Sequence, residues 1–188
     1  MKFLKICSAL ILAILISAST YKSIEGVEFK DEITIGKEKL VLNGLGLREK
    51  YWFDLYVAGL YLKNKSTNAT EIINNNETKV LRIKMISSMV TSEKFIAAVN
   101  DGFSKSAGSS IDSIAPQITL FKSIFKDEAI VENDEFKLIS IQGKGVKVEK
   151  NGTLKKTISG AFFSQALFGI WLCGEPADED LKEGLLGK

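Results

Sequence analysis

The chain contains no histidine, and its 188 residues include only two cysteines, two prolines and three methionines. Without an imidazole, Ser-His-Asp and Cys-His catalysis are excluded, and zinc has no ordinary ligand set. No metal and no cofactor is expected. Cys7 sits inside an apolar run at the N-terminus. Once that run is removed, Cys173 is the only thiol and no internal disulfide can form. With no base to activate it, Cys173 reads as a buried, inert small residue. Phosphate-cradling loops are missing too. Gly44-Leu45-Gly46 and Gly143-Lys144-Gly145 do not open a helix, which phosphate binding at a glycine loop requires. Nucleotide binding is therefore excluded. Internal repeats and low-complexity tails are absent.

An excess of charge is also lacking. Lys2 and Lys5 precede the apolar run Ile6 to Ile16, followed by the small residues Ser17, Ala18 and Ser19. This is the three-part pattern of a secretory signal peptide over residues 1–19, and its apolar middle is shorter than the roughly 20 residues of a spanning helix. Removing its two lysines from 25 basic residues leaves 23, equal to the 23 acids. A clustered basic surface for nucleic acid is not indicated. The expectation is an exported protein, periplasmic or extracellular, with one domain over residues 20–188 and no transmembrane span after leader cleavage.

What is present is alternating and amphipathic pattern. Ile33-Thr34-Ile35, Gly36-Lys37 and Leu40-Val41-Leu42 predict a hairpin. Thr67 or Asn68 is placed to cap a short helix that ends at Asn74-Asn75-Asn76. Residues 79–86 alternate charged and apolar side chains, which predicts an outer strand with one solvated face. Thr91-Ser92-Glu93 starts a helix with Phe95, Ile96, Val99 and Phe103 on one side, closed by Gly108. Residues 111–125 carry a second such helix, with Pro116 in its first turn. From Glu135 the period of two returns, and Asn151-Gly152 is a strong hairpin signal, so a three-stranded meander is expected. Residues 160–172 are apolar almost all round and predict a buried helix. Asp178 is placed to cap a short terminal one.

The stretch of greatest interest runs from Gly44 to Leu62. From Trp52 to Leu62 only Asp54 is charged, which predicts a central strand covered on both faces. Gly44 and Gly46 predict a bulge or a close backbone approach. They are expected to ease a sharp connection carrying Arg48. Arg48 could pair with a surface carboxylate such as Asp31, Glu32 or Glu49, or anchor an anionic ligand through its planar fork of donors. Tyr56 and Tyr61 are expected to bring hydroxyls nearby.

Gly-x-Gly-x-Arg followed by Phe53-Asp54-Leu55-Tyr56-Val57-Ala58-Gly59-Leu60-Tyr61-Leu62 resembles the signature of the chalcone isomerase superfamily, in its bacterial chalcone isomerase-like branch. The run Phe163 to Leu172, then Gly174-Glu175-Pro176 and Asp180 to Gly187, resembles that branch's closing helices. The resemblance covers most of the chain after the leader. It implies an α+β fold, the chalcone isomerase-like open-faced β-sandwich, in which a large antiparallel sheet has helices packed on one face and a ligand cleft between them.

It also implies roles. In the plant enzymes an arginine at the Arg48 position polarises a substrate that closes a ring by adding a phenolate to an enone. Their strand threonine is replaced here by Tyr56, and their helix tyrosine and asparagine by Thr91 and Ala98, which disfavours flavonoid cyclisation. The arginine and tyrosine pair is instead similar to the superfamily's fatty-acid-binding members. The resemblance thus points to a small apolar or amphipathic acid bound by Arg48, Tyr56 and Thr91. The alternative is an intramolecular lyase (isomerase) acting on an enone, with Arg48 catalytic. A third reading is a structural or partner-binding envelope protein in which Arg48 is merely ion-paired.

Overall fold

The computed structural model describes residues 20–188, so the expected leader lies outside the described residues. Seven segments pair in sequence order into one antiparallel sheet: β3 (Glu32–Ile35), β4 (Glu38–Lys50), β5 (Phe53–Leu62), β6 (Lys79–Met85), β7 (Glu135–Ile141), β8 (Gly145–Lys150) and β9 (Thr153–Ile158). A separate hairpin, β1 (Tyr21–Ile24) and β2 (Val27–Lys30), precedes them. The helices are α1 (Ala69–Asn74), α2 (Ser92–Ala107), α3 (Ala115–Asp127), α4 (Ala161–Leu172) and α5 (Glu179–Leu185). The fold is the expected α+β arrangement, a curled antiparallel sheet with helices packed on one face.

Strand alternation divides two apolar clusters between the faces of the sheet. Tyr56, Ala58 and Leu60 of β5, with Leu81 and Ile83 of β6, face the helices and pack with Phe103, Phe121, Phe163 and Trp171. Val57 and Tyr61, with Val80 of β6, face the other way and pack with Phe29, Leu40 and Leu42. Tyr61 therefore lies on the face opposite Tyr56, and its expected place beside Arg48 is corrected.

Several helix ends follow their sequence signals. Asn68 accepts the Glu71 N–H and Thr91 the Lys94 N–H, so each caps the helix it precedes. Gly108 closes α2. A 3-10 turn, Gly108–Ile114, occupies the start of the predicted second helix, and α3 begins only at Ala115 with Pro116 in its first turn. Cys173 is half-buried rather than buried.

β6 is the fourth of seven strands, not an outer one. Its charged side looked solvated because the covering element comes from elsewhere. Arg82 stacks on Phe29 of β2 at 4.3 Å and binds Glu135 at 2.7 Å. On the opposite, helix-covered face Lys79 is fully buried and donates to the carbonyls of Ile72 and Asn75 at the end of α1. Paired in this way, charged side chains are tolerated in a central strand.

The connection from β4 to β5 also differs from expectation. Gly44 and Gly46 lie inside β4, and the turn itself is Tyr51-Trp52, with φ of 51° and 69°. Bulky residues rarely take such angles, and each costs about 1–3 kcal/mol of backbone strain. The other tight connections use glycine at positive φ: Glu25-Gly26, Gly36-Lys37 and Asn151-Gly152. The aromatic turn is exposed, with Trp52 at 93% and Tyr51 at 77% of full accessibility.

Candidate functional site

Strand register brings Arg48 and Tyr56 together. They are directly paired across β4 and β5, and the register shifts immediately after them, where Leu55 of β5 is the extra, unpaired residue. Gly44 pairs with Leu60 and Gly46 with Ala58, so Gly44, Gly46 and Arg48 form a stripe on the helix-covered face. α5 lies along that stripe, antiparallel to β4. A Cβ on Gly46 would come within 2.6 Å of the Leu181 carbonyl oxygen, and one on Gly44 within 2.7 Å of the Gly187 nitrogen. Gly184 of α5 in turn faces the Leu45 carbonyl. The glycines of the Gly-x-Gly-x-Arg segment thus serve as a seat for α5, the close approach that their spacing predicted.

At the far end of the seat, Arg48 Nη1 lies 2.6 Å from Asp178 Oδ2 and donates to the Glu49 carbonyl at 2.8 Å. Asp178 Oδ1 accepts the Leu181 N–H at 2.8 Å, which caps α5 as expected. Arg48 is therefore ion-paired with Asp178, not with Asp31, Glu32 or Glu49. Its Nε and Nη2 have no protein acceptor among the described residues. Neither side chain of the pair is open to full hydration, which strengthens the charge-assisted bond.

Tyr56 is buried, and its hydroxyl oxygen accepts the Trp171 indole N–H at 3.0 Å. Burial raises its pKa above the usual tyrosine value; the Trp171 hydrogen bond and the Arg48 charge pull it back in part, while Asp178 pushes it up. The phenol is therefore neutral at physiological pH. Because the oxygen accepts from Trp171, the hydroxyl proton remains free to donate. Tyr56 and Arg48 are thus cross-strand neighbours on one face of the sheet, each keeping a donor that no acceptor takes among the described residues.

Thr91 is half-buried and its hydroxyl is engaged in capping α2 at 3.3 Å. No hydrogen bond links it to Arg48 or Tyr56 among the described residues. Trp171 and Asp178 are the site residues that sequence reasoning did not assign. Trp171 was legible as core and Asp178 as a cap, but their partners are 115 and 130 residues away. No local signal could have named them.

Three surface concavities are lined by other residues. One of about 200 Å³ lies between the end of α1 and the start of α4, and one of about 690 Å³ flanks Asn43 and Gly187. The third, about 480 Å³, lies between α2 and α3. The Arg48 site is closed over by α5 rather than opening into any of them. Among the described residues no group of three or more metal-ligating side chains occurs, and no helix is long and apolar enough to cross a membrane.

No curated protein matches this sequence significantly. Among solved structures, the crystal structure of a fatty-acid binding protein of Arabidopsis thaliana superposes with a TM-score of 0.71 at 18% identity, covering 90% of this chain and 96% of that one. At that identity the likeness is one of fold. The sequence profile of the family described as chalcone isomerase-like matches residues 21–187, so the glycine seat, its arginine and the closing helices all fall within it, and the chain belongs to that family.

Proposed function

We propose that this is an exported protein that binds a small apolar acid, fatty-acid-like in character, with Arg48 and Tyr56 receiving the carboxylate. The observation that carries the reading is the pair of unspent donors, Arg48 Nε and Nη2 beside the Tyr56 hydroxyl proton, on the apolar helix-covered face. A carboxylate accepts from a guanidinium fork and a phenol in charge-assisted bonds. The Arabidopsis protein that shares the fold, a fatty-acid binding protein, agrees in ligand class. Asp178 then acts as an internal stand-in, holding Arg48 until a ligand carboxylate takes its place. Because α5 closes over Arg48, the ligand enters by lifting α5 from its glycine seat, and each CH₂ of the tail then removed from water contributes about 0.8 kcal/mol.

A second reading has its own observation. The 2.6 Å contact with Asp178 makes Arg48 a clasp that fixes α5 on the sheet, without any ligand. Titration of the purified protein with a saturated long-chain fatty acid separates the two. Binding that is lost in Arg48→Met, with the variant still folded, supports the ligand reading. Absence of binding in the parent protein leaves the clasp. An intramolecular lyase would be seen in the same samples as turnover of a chalcone-like enone that depends on Arg48.

A further inference from the structure

The turn Tyr51-Trp52 holds aromatic side chains where the backbone disfavours them. Tyr51, Trp52 and Phe53 are consecutive, and all three are exposed, Phe53 at 51%. Elsewhere this same chain solves the tight-turn problem with glycine. Folding alone gives no reason to keep two rings at positive φ in solvent, and strain kept in this way marks functional segments.

The sheet topology extends the patch. Because neighbouring strands are antiparallel, the β4–β5 turn shares one edge with the segment after β6, the segment before β7 and the β8–β9 turn. Backbone hydrogen bonds tie these together: Ile86 N–H to the Leu55 carbonyl, Asn133 N–H to Met85, and Asn151 N–H to Glu135. That edge carries exposed Met89, Val131 and Leu154 besides the three aromatics. Six of the nine large exposed apolar side chains of the described residues therefore belong to segments at this one end of the sheet.

We infer that this edge docks onto the surface of a lipid bilayer, with the Tyr51-Trp52-Phe53 tip entering the headgroup region. Tyrosine and tryptophan favour that region because each combines an apolar ring with a polar group that stays hydrated. The tip is convex, and Trp52 keeps almost none of its surface against its own protein. A folded partner would have to supply a matching pocket, whereas a fluid headgroup layer accepts any protruding ring. The flanking charges are of both signs, Glu49 and Asp54 with Lys50, whose ammonium lies 5.4 Å from the Tyr51 ring centre. That mixture suits zwitterionic headgroups better than an anionic surface, which would call for a basic cluster. The inference stands on residues other than Arg48 and holds whether or not Arg48 takes a ligand.

The full chain is mixed with phosphatidylcholine vesicles, with and without bromine on the acyl chains. Trp171 is buried but bonded to Tyr56 of the candidate ligand site, so the titration is run on Trp171→Phe, in which Trp52 is the remaining tryptophan and any change in emission reports on it. The expected result is emission shifted to shorter wavelength and quenched by the brominated chains. Quenching is local to Trp52, so association through a retained leader does not reproduce it. The double variant Y51N/W52G places a favoured turn sequence in the loop and should keep the parent's melting temperature or exceed it. Its vesicle partitioning should fall by about tenfold or more, as expected for losing two exposed rings, while any fatty-acid binding by Arg48 persists. Unchanged emission with vesicles overturns the inference, as does equal partitioning of the parent and Y51N/W52G. A blue shift produced by raising protein concentration without lipid also overturns it, because the tip is then covered by a second copy.

Discussion

Asp178 uses both oxygens of one carboxylate. Oδ2 lies 2.6 Å from Arg48 Nη1, and Oδ1 accepts the Leu181 N–H at 2.8 Å. The residue that starts α5 therefore also neutralises the arginine at the end of its seat. An asparagine at a helix start caps about as well as an aspartate, whereas alanine loses roughly 1 kcal/mol or more. Asp178→Ala should therefore destabilise by about 1–3 kcal/mol, from the lost cap and the unpaired Arg48. Asp178→Asn should recover the capping part. Chemical denaturation of the two variants beside the parent checks this.

The glycine seat makes a sharper prediction. Gly46→Ala would place a methyl 2.6 Å from the Leu181 carbonyl oxygen, against backbone that cannot swing aside. Overpacking of this kind costs about 1–3 kcal/mol, and more where the helix must lift away. Gly174→Ala is the control, since nothing lies within 4 Å of the added carbon, and it should stay within about 0.5 kcal/mol of the parent. Thermal melts should separate the two clearly.

Tyr56→Phe removes the acceptor of the Trp171 indole N–H, which is buried with it. A buried donor left without a partner costs about 1–3 kcal/mol. The variant should lose that much by denaturant unfolding. It should weaken carboxylate binding as well if Tyr56 donates to the ligand.

Two buried groups on β5 and β6 give stability a pH signature. Burial pushes the Lys79 ammonium down from 10.5 to about 8 and the Tyr61 phenol up from 10.0 to about 12. Between pH 8 and 10 the unfolded chain holds the Lys79 proton more firmly than the folded one, so stability rises with pH across that window. Above pH 10 unfolded Tyr61 releases its proton first, and stability falls as pH climbs toward 12. Denaturant midpoints measured through this range should peak near pH 10. Lys79→Met should abolish the rise below the peak and leave the fall above it.

How much of this the sequence disclosed depended on how local the cause was. Asn151-Gly152 marked its hairpin because the turn chemistry sits in those two residues, with φ of 50° and 77°. Thr91, Asn68 and Asp178 marked helix starts for the same reason. β6 was read as an outer strand because Phe29, which covers Arg82, belongs to a hairpin some fifty residues earlier in the chain. The Tyr51-Trp52 turn was missed because neither residue favours positive φ. Gly44 and Gly46 announced a close approach, but not that α5 makes it. The pairing of Arg48 with Tyr56 followed once register was known. Its pairing with Asp178 depended on packing across the whole domain.

The central claim is that Arg48 exchanges Asp178 for a ligand carboxylate, and Asp178→Asn tests it most directly. The asparagine keeps the cap of α5 but cannot hold the guanidinium as strongly, so a fatty acid has less to displace. Calorimetric titration with the same fatty acid should show tighter binding to Asp178→Asn than to the parent, by about tenfold for each 1.4 kcal/mol of pairing removed, and none to Arg48→Met. Equal affinity in the parent, Asp178→Asn and Arg48→Met, or no binding in any of them, would contradict the account and leave Arg48 as the clasp of α5.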